Sequence, residues 1–403
     1  MSGTVTTSSI LSPVSFLLIC DSYPPVMGGS EIEAQRVCSA MIQRGHRALV
    51  LCAGGPPMPP VRDWIDPAGV PVRILTRCAK GRWKDAVFAC QVARMIWRER
   101  HNYEIVYFLM QGLHLAVGLP VARAAGKPIV MKVGGSGVIP LMRKSLAGRV
   151  ELHWLRKWAS RLMVLNQGMM EEAISDGFPS ELMTWMPNPV DTSEFRPGPP
   201  TEVADLRCRY GIPGDAHVAI YVGRLSPEKG LPSMLRGFAL AAQSMPQALL
   251  ILLGDGPMRQ SLEMMASELG LAPHQVRFAG RVNASEVAYW LRASDVFVLV
   301  SPSEGFSCAL VEAMSSGLPA VVSDIPANVQ LIDPGIHGFT VPFGDESAAA
   351  EALRATFTNH TLRIRMGQAA RQRMIDNCST QKVIDRYEEL FAEVLSSSRT
   401  RGA

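Results

Sequence analysis

Four side chains in the second half of the sequence are of types that can act together on one ligand: Arg224, Lys229, Glu304 and Glu312. The two carboxylates stand eight positions apart in a run that reads Ser301-Pro302-Ser303-Glu304-Gly305-Phe306-Ser307 and continues through Glu312-Ala313-Met314 to Gly317-Leu318-Pro319. Apolar runs at 296–300 and 320–323 flank it, so the pattern reads strand, small-residue turn, helix, strand, with Gly305 and Ser307 in the helix's first turn. A helix starting there aims backbone N–H groups at whatever lies above it, which makes an anion site. Carboxylates only accept hydrogen bonds, so Glu304 and Glu312 suit hydroxyls and not phosphates. Hydroxyl acceptors beside an anion-binding helix start imply a ligand with both phosphate and sugar.

Four glycine-bearing loops add to this. Gly223-Arg224-Leu225-Ser226-Pro227-Glu228-Lys229-Gly230 directly follows the apolar run 218–222. Arg224 offers a planar fork and Lys229 a point charge to a diphosphate, and Gly223 lets the backbone approach. Alone, this segment also reads as an ordinary basic βα loop. Gly254-Asp255-Gly256-Pro257 follows the run 248–253. It is not the dinucleotide fingerprint, because the sixth position is Arg259 and no strand-end acid follows. Pro24-Pro25-Val26-Met27-Gly28-Gly29-Ser30-Glu31 opens a helix, with Glu31 in the favoured first turn; a plain cap by Ser30 is the alternative reading. A similar loop, Gly134-Gly135-Ser136-Gly137, follows Lys132 at a strand end.

The stretch 143–161 is basic and aromatic, with Arg143, Lys144, Arg149, His153, Trp154, Arg156, Lys157, Trp158 and Arg161. It suits an anionic lipid interface, or equally a pair of core-facing tryptophans with snorkelling cations. Other chemistries lack their residues. No Asp-x-Asp supports a metal-bridged diphosphate, so no metal is expected. No P-loop supports NTP hydrolysis, and no nucleophile–His–Asp set is evident, although His114 and His153 merit testing. If Glu304 and Glu312 shared one helix they would lie ~12 Å apart along its axis. That exceeds the ~5–9.5 Å of glycoside hydrolase pairs and argues against hydrolysis.

The elements that must position these groups alternate strand and helix. A chain of 403 residues suggests two domains. Strands are expected at 14–20, 47–52, 72–75, 105–109, 129–133, 162–165 and 182–185, then at 218–222, 248–253, 276–278, 296–299, 320–322 and 339–341. The runs are continuously apolar, as parallel strands covered on both faces are. Helices are expected at 31–44, 85–100 and 380–395. The prolines of 187–200 make an extended linker between two doubly wound α/β halves. In such sheets ligands bind outside the strands' carboxyl ends, which places the expected site in a cleft between the halves.

Composition narrows the setting. At 47% hydrophobic and 19% charged residues the chain is globular in type. Eight cysteines show no C-x-x-C pair, which suggests a reducing compartment without disulfides or zinc. The apolar run at 13–20 has no Lys or Arg before it, so no signal peptide is expected, and no run approaches a membrane span. Net charge is +4, yet residues 73–161 hold 17 Lys/Arg against 4 Asp/Glu, an imbalance that points to an anionic partner or a solvated basic face.

Several segments resemble one known family. Glu304 and Glu312 form an E-x7-E motif in a Ser-x-x-Glu-Gly-Phe context; Gly223-Arg224-Leu225 with Lys229-Gly230 precedes it; and Pro187-Asn188-Pro189-Val190-Asp191 with Phe195-Arg196-Pro197 is similar to the family's interdomain crossing. Together these resemble a retaining glycosyltransferase of family 4 with the GT-B fold, more specifically in the second half than the first. The resemblance implies an N-terminal acceptor-side domain over 1–195 and a nucleotide-sugar domain over 196–379, with a last helix at 380–397 crossing back onto the first. It implies Glu304, Arg224 and Lys229 as the catalytic set, with the two cations on the donor diphosphate and Glu304 on the sugar. It assigns Glu312 to the ribose hydroxyls and Arg281 and Val282 to the base. It places Gly29, Gly223, Gly254 and the backbone of Phe306, Ser307 and Cys308 around the donor. It further implies a UDP-sugar donor ahead of a GDP-sugar, no cofactor, a glycan or lipid-linked acceptor, no nucleic acid, and a cytoplasmic protein peripheral on an anionic membrane. The sequence departs from the pattern at Lys132-Val133-Gly134-Gly135, where the family often carries a strand-end His, and at Pro189, where Asn-Gly is common. An epimerase of the same architecture and a weakly active scaffold are the competing expectations.

Overall fold

The computed structural model describes residues 12–26, 28–54, 57–59, 61–75 and 83–400; Met27 and Cys78 lie outside them. The chain divides into two compact units. One comprises Met1–Leu165, Met169–Pro189 and Val383–Ala403, the other Asn166–Gly168 and Val190–Lys382. The division falls between Pro189 and Val190, not at 195/196. The reason is local pairing. Val190 N–H donates to Cys378 O at 2.8 Å, and Thr380 N–H donates to Val190 O at 3.0 Å. Phe195 then plugs into the second core, its carbonyl accepting from Ser315 Oγ at 2.7 Å.

In the first unit the strands are β1 (Ser15–Cys20), β2 (Arg47–Cys52), β3 (Asp63–Ile65), β4 (Pro71–Ile74), β5 (Ile105–Leu109), β6 (Ile129–Lys132), β7 (Ala159–Val164) and β8 (Met183–Trp185). They form one sheet in the order β3-β4-β2-β1-β5-β6-β7-β8. Every pairing is parallel except β3–β4. β3 was not expected, because three residues are too short to show a period. β1, β5 and β6 are buried at every residue, as their continuous apolar runs require. The last helix, Thr380–Thr400, sends Val383, Ile384, Tyr387, Leu390, Phe391 and Val394 into this core.

A buried charged group sits in that core. Lys132, at the end of β6, donates to the Glu33 carboxylate of the helix Gly29–Gln43 and to Asn188 Oδ1 at 2.9 Å. The Tyr387 hydroxyl donates to Glu33 at 3.4 Å and lies 3.0 Å from that of Tyr107. Burial raises the proton affinity of Glu33, and the Lys132 charge opposes this. Lys132 is therefore a structural tie in the first unit's core. The described cysteines are free thiols, and burial alone pushes Cys52 up to about 12.

The second unit holds β9 (His217–Val222), β10 (Ala248–Leu253), β11 (Val276–Gly280), β12 (Val296–Leu299), β13 (Ala320–Ser323) and β14 (Gly338–Val341), all parallel, in the order β11-β10-β9-β12-β13-β14. This is the doubly wound order 3-2-1-4-5-6, which reverses between β9 and β12. The first sheet reverses likewise between β1 and β5.

Removing one member of the Lys132–Glu33 pair should be costly, because it leaves a buried charge without its partner. Lys132→Met should lower unfolding free energy by about 3–5 kcal/mol in denaturant titrations, and Lys132→Met with Glu33→Leu should recover most of that loss.

Candidate functional site

Three loops at the carboxyl ends of β9, β10 and β11 are laced together through backbone. Gly223 N–H donates to Leu253 O at 3.0 Å, Leu225 N–H to Asp255 O at 3.0 Å, Met258 N–H to Leu225 O at 3.0 Å, and Gly254 N–H to Gly280 O at 2.8 Å. The approach is so close that a Cβ on Gly254 (φ +144°) would lie 1.9 Å from Gly223 O. Glycine is required there for space as well as for conformation.

The β9 loop is braced from below. The Tyr221 hydroxyl, raised in pKa chiefly by burial and then by the Glu304 charge, donates to Arg224 O at 2.9 Å. Arg224 itself is exposed. A short 3-10 turn, Pro227–Lys229, follows, and Ser226 Oγ donates to Glu228 at 2.6 Å. That hydrogen bond, with smaller help from Arg224 and Lys229, holds the exposed Glu228 carboxyl below its usual range. Gly230 (φ +63°) opens the helix Leu231–Ala242, and a Cβ there would meet Val300 O at 2.4 Å.

The β12 loop faces it. The helix begins only at Cys308 and runs to Ser315, with Ser307 as N-cap accepting from Leu310 N–H at 3.2 Å. Glu304 and Gly305 precede the helix in the loop. The two carboxylates therefore do not share a helix, and the axial spacing used against a hydrolase does not apply to them. Pro302 and Gly305 delay the helix by supplying turn geometry, a signal the apolar periodicity of 308–314 masked. Glu312 is half-buried inside the helix.

Across the β9/β12 reversal, Lys229 Nζ donates to both Glu304 oxygens at 2.9 Å. The Lys229 side chain is 28% exposed and that of Glu304 only 7%. This contact joins two residues 75 positions apart and was not expected, since each had been given its own part of a ligand. Arg281 is exposed and Val282 half-buried after β11; Phe306 and Cys308 are half-buried and Ser307 buried after β12. Every expected site residue except Gly29 thus lies at the carboxyl ends of β9 to β12. Gly29 opens the first helix of the first unit, where Gly28, not Ser30, is the N-cap; Ser30 Oγ donates to Glu31 at 3.0 Å.

Sequence reading missed Tyr221 and Gly280 in this unit. The Gly after an apolar run was the available signal for Gly280. In the first unit it missed Asp21, which follows β1. Asp21 Oδ1 lies 3.1 Å from Nδ1 of His114, and the pair spans the β1/β5 reversal. His114 is buried, stacked by Phe108 with Phe88 at its edge, while half the Asp21 side chain is exposed. His114 Nε2 and Gln111 Oε1 have no hydrogen-bond partner among the described residues, and Met110 between them and the strand has φ +74°. Of the basic stretch, His153 is exposed, and Trp154 and Trp158 are half-buried and stacked on each other with centroids 5.3 Å apart.

Comparisons agree with this architecture. A model of the glycosyl transferases group 1 family matches residues 203–373, and one of a glycosyl transferase 4-like domain matches 28–189. A UDP-Gal:alpha-D-GlcNAc-diphosphoundecaprenol alpha-1,3-galactosyltransferase of Escherichia coli is 25% identical over 83% of this chain and 87% of its own. A GDP-mannose-dependent alpha-(1-6)-phosphatidylinositol monomannoside mannosyltransferase of Mycolicibacterium smegmatis is 26% identical over 93% of this chain and 98% of its own. The structure of Anabaena HepE with UDP and glucose superposes with TM-score 0.77 at 22% identity, covering 95% of this chain and all of that one. The chain is a glycosyltransferase of family 4 with the GT-B fold. It is an enzyme of the hexosyltransferase type that its relatives represent.

The glycine contacts make a stability prediction. Gly270 has φ +72° with open space around its Cβ position, so Gly270→Ala should cost only about 1–2 kcal/mol of conformational strain. Gly254→Ala adds a backbone collision and should cost a further ~1–3 kcal/mol in the same denaturation assay.

Proposed function

We propose that this enzyme moves a hexosyl group from a nucleotide-diphosphate sugar, a UDP-sugar in preference to a GDP-sugar, to a lipid-linked or glycan acceptor, with retention and without a metal or other cofactor. The observation that carries the reading is the convergence of Arg224, Lys229 and Glu304 at the strand-order reversal of the second sheet. Ligands of open α/β sheets sit at such reversals.

The roles follow from charge. Breaking the bond between sugar C1 and the phosphate oxygen develops positive charge on the ring and negative charge on the leaving diphosphate. Arg224 and Lys229, held by backbone-laced loops, stabilise that diphosphate without reorganising. The backbone of Phe306, Ser307 and Cys308, at and just before the helix start, adds N–H dipoles, and Gly223, Gly254 and Gly29 allow close approach. Glu304 receives sugar hydroxyls and Glu312 the ribose hydroxyls, while Arg281 and Val282 flank the base. The acceptor oxygen attacks C1 on the face the diphosphate leaves, and its proton passes to the departing phosphate oxygen. The Asp21–His114 pair, with the unpartnered Gln111 Oε1, supports an acceptor hydroxyl subsite at the first sheet's reversal.

A cytoplasmic protein peripheral on an anionic membrane is part of the same proposal. The helix Leu146–Trp158 buries its one acid, Glu151, whose carboxyl burial pushes up to about 7. Its outer face therefore carries Arg149, His153 and Lys157, beside exposed Lys144 and with Leu141 and Leu146 60% and 78% exposed. Cations around exposed leucines fit an acidic headgroup layer. Among the described residues no helix is long and apolar enough to cross a membrane.

Two measurements test this. In a panel of UDP- and GDP-sugars with a lipid-linked acceptor, turnover should appear with a UDP-sugar, and Glu304→Gln should lose at least about 100-fold in kcat while still binding nucleotide. No turnover with any donor would favour a scaffold, and inversion of a hydroxyl without transfer an epimerase. In co-sedimentation with phosphatidylglycerol vesicles, binding should fall as salt rises and fall further in Lys144→Glu/Lys157→Glu. Binding that ignores both would remove the membrane assignment.

A further inference from the structure

We infer that Ser323 and Asn328 are positioning residues for Glu304, fixing the foot of the loop that carries its carboxylate; the inference rests on the transferase reading proposed above. The sheet's ladder stops short of that loop. β12 pairs with β13 at Phe297 opposite Ala320, Val298 opposite Val321 and Leu299 opposite Val322, whereas β13 continues beside β14 as far as Ser323 opposite Val341. Past Leu299 a side chain takes over. Ser323 Oγ donates to Ser301 O at 2.5 Å, and Asn328 Nδ2 donates to Ser323 O at 2.9 Å and to Ser323 Oγ at 3.3 Å. A serine hydroxyl has one hydrogen and two acceptor lone pairs. The Asn328 amide takes a lone pair and Ser301 O takes the hydrogen, so Asn328 fixes the direction in which Ser323 acts. Ser301, Ser323 and Asn328 are all fully buried.

On the other side of the loop's foot, Val300 O and Pro302 lie against Gly230, the residue after Lys229. The foot is thus held from β13 and from the β9 loop together. Only Pro302 and Ser303 separate Ser301 from Glu304, and proline fixes one of the intervening dihedrals. A shift at Ser301 is therefore carried to the carboxylate that Lys229 meets at 2.9 Å. The polar set is not what packing alone would select. Ser301 Oγ and Asn328 Oδ1 are buried without a hydrogen-bond partner among the described residues, and such atoms lower stability. Apolar side chains would fill the end of β13 without that penalty. What the serine and the asparagine supply instead is a carbonyl held in place three residues before Glu304.

The test is a split between turnover and binding. With the nucleotide sugar that the parent enzyme turns over, Ser323→Ala should lower kcat at least about tenfold, the scale of a small misplacement at a reacting centre. Calorimetric titration with the matching nucleoside diphosphate should give a Kd within about threefold of the parent's, because the loop bearing Arg224 and Lys229 has its own backbone ties to the β10 loop. Ser323→Thr, which keeps the hydroxyl, should recover most of the turnover. Asn328→Ala should lower kcat in the same way by less, and serves if Ser323→Ala does not fold. In a Glu304→Gln background, Ser323→Ala should change the residual kcat by less than about twofold, because the group it positions has already lost its charge. Unchanged kcat in both Ser323→Ala and Asn328→Ala would overturn the inference while leaving the transferase reading intact. A fall as large in the Glu304→Gln background as in the parent would also overturn it, as would a loss of diphosphate affinity equal to the loss of kcat; either marks a general structural role. A parent enzyme that turns over no donor would overturn the transferase reading and the inference together.

Discussion

One ion pair spans the place where the second sheet changes direction, and the candidate site residues of the second unit lie in the loops around it. Lys229 arrives on the loop after β9 and Glu304 on the loop after β12, neighbouring strands whose connections leave on opposite faces. A reversal of this kind opens a crevice that no helix covers. The two sides meet by close packing, with Gly230 against Val300 O and Pro302, and by the ammonium of Lys229 on the buried Glu304 carboxylate.

The loop that carries Lys229 is tied through backbone to the two loops beside it. Three successive βα loops exchange backbone hydrogen bonds, and at Gly254 the approach is closer than a side chain would allow, a Cβ there lying 1.9 Å from Gly223 O. Preorganisation of this sort is what allows fixed cations to stabilise developing charge without moving. Gly230 does the corresponding work at the start of the next helix, where it lies against Val300 O.

The first unit follows the same plan with different residues. Its sheet also reverses at one point, and there Asp21 and His114 meet. Deeper in, Lys132 occupies the strand end at which a solvent-facing group was conceivable, yet it is buried against Glu33 and Asn188. A lysine in an apolar strand end gives no sign from sequence of whether it faces ligand or core. The answer depends on a glutamate 99 positions away.

Much of the fold was legible because parallel strands buried on both faces leave continuous apolar runs. The strands at 47–52, 105–109, 248–253 and 296–299 coincide with β2, β5, β10 and β12, and the prolines of 187–200 do separate two α/β units. β3 was too short to register, and the handover at Val190 depended on a pairing with Ser379 that no local pattern encodes. Of the candidate site, Arg224, Lys229 and Glu304 were readable as residue types in loops after apolar runs, and Glu312 as a carboxylate eight positions on. That Glu304 stands outside the helix, and that Lys229 donates to it, were not. Local sequence determines which backbone turns where, because propensity, glycine and proline act over a few residues. Only the tertiary structure decides which charge meets which, because that depends on strand order, and strand order brings together residues that the chain keeps far apart.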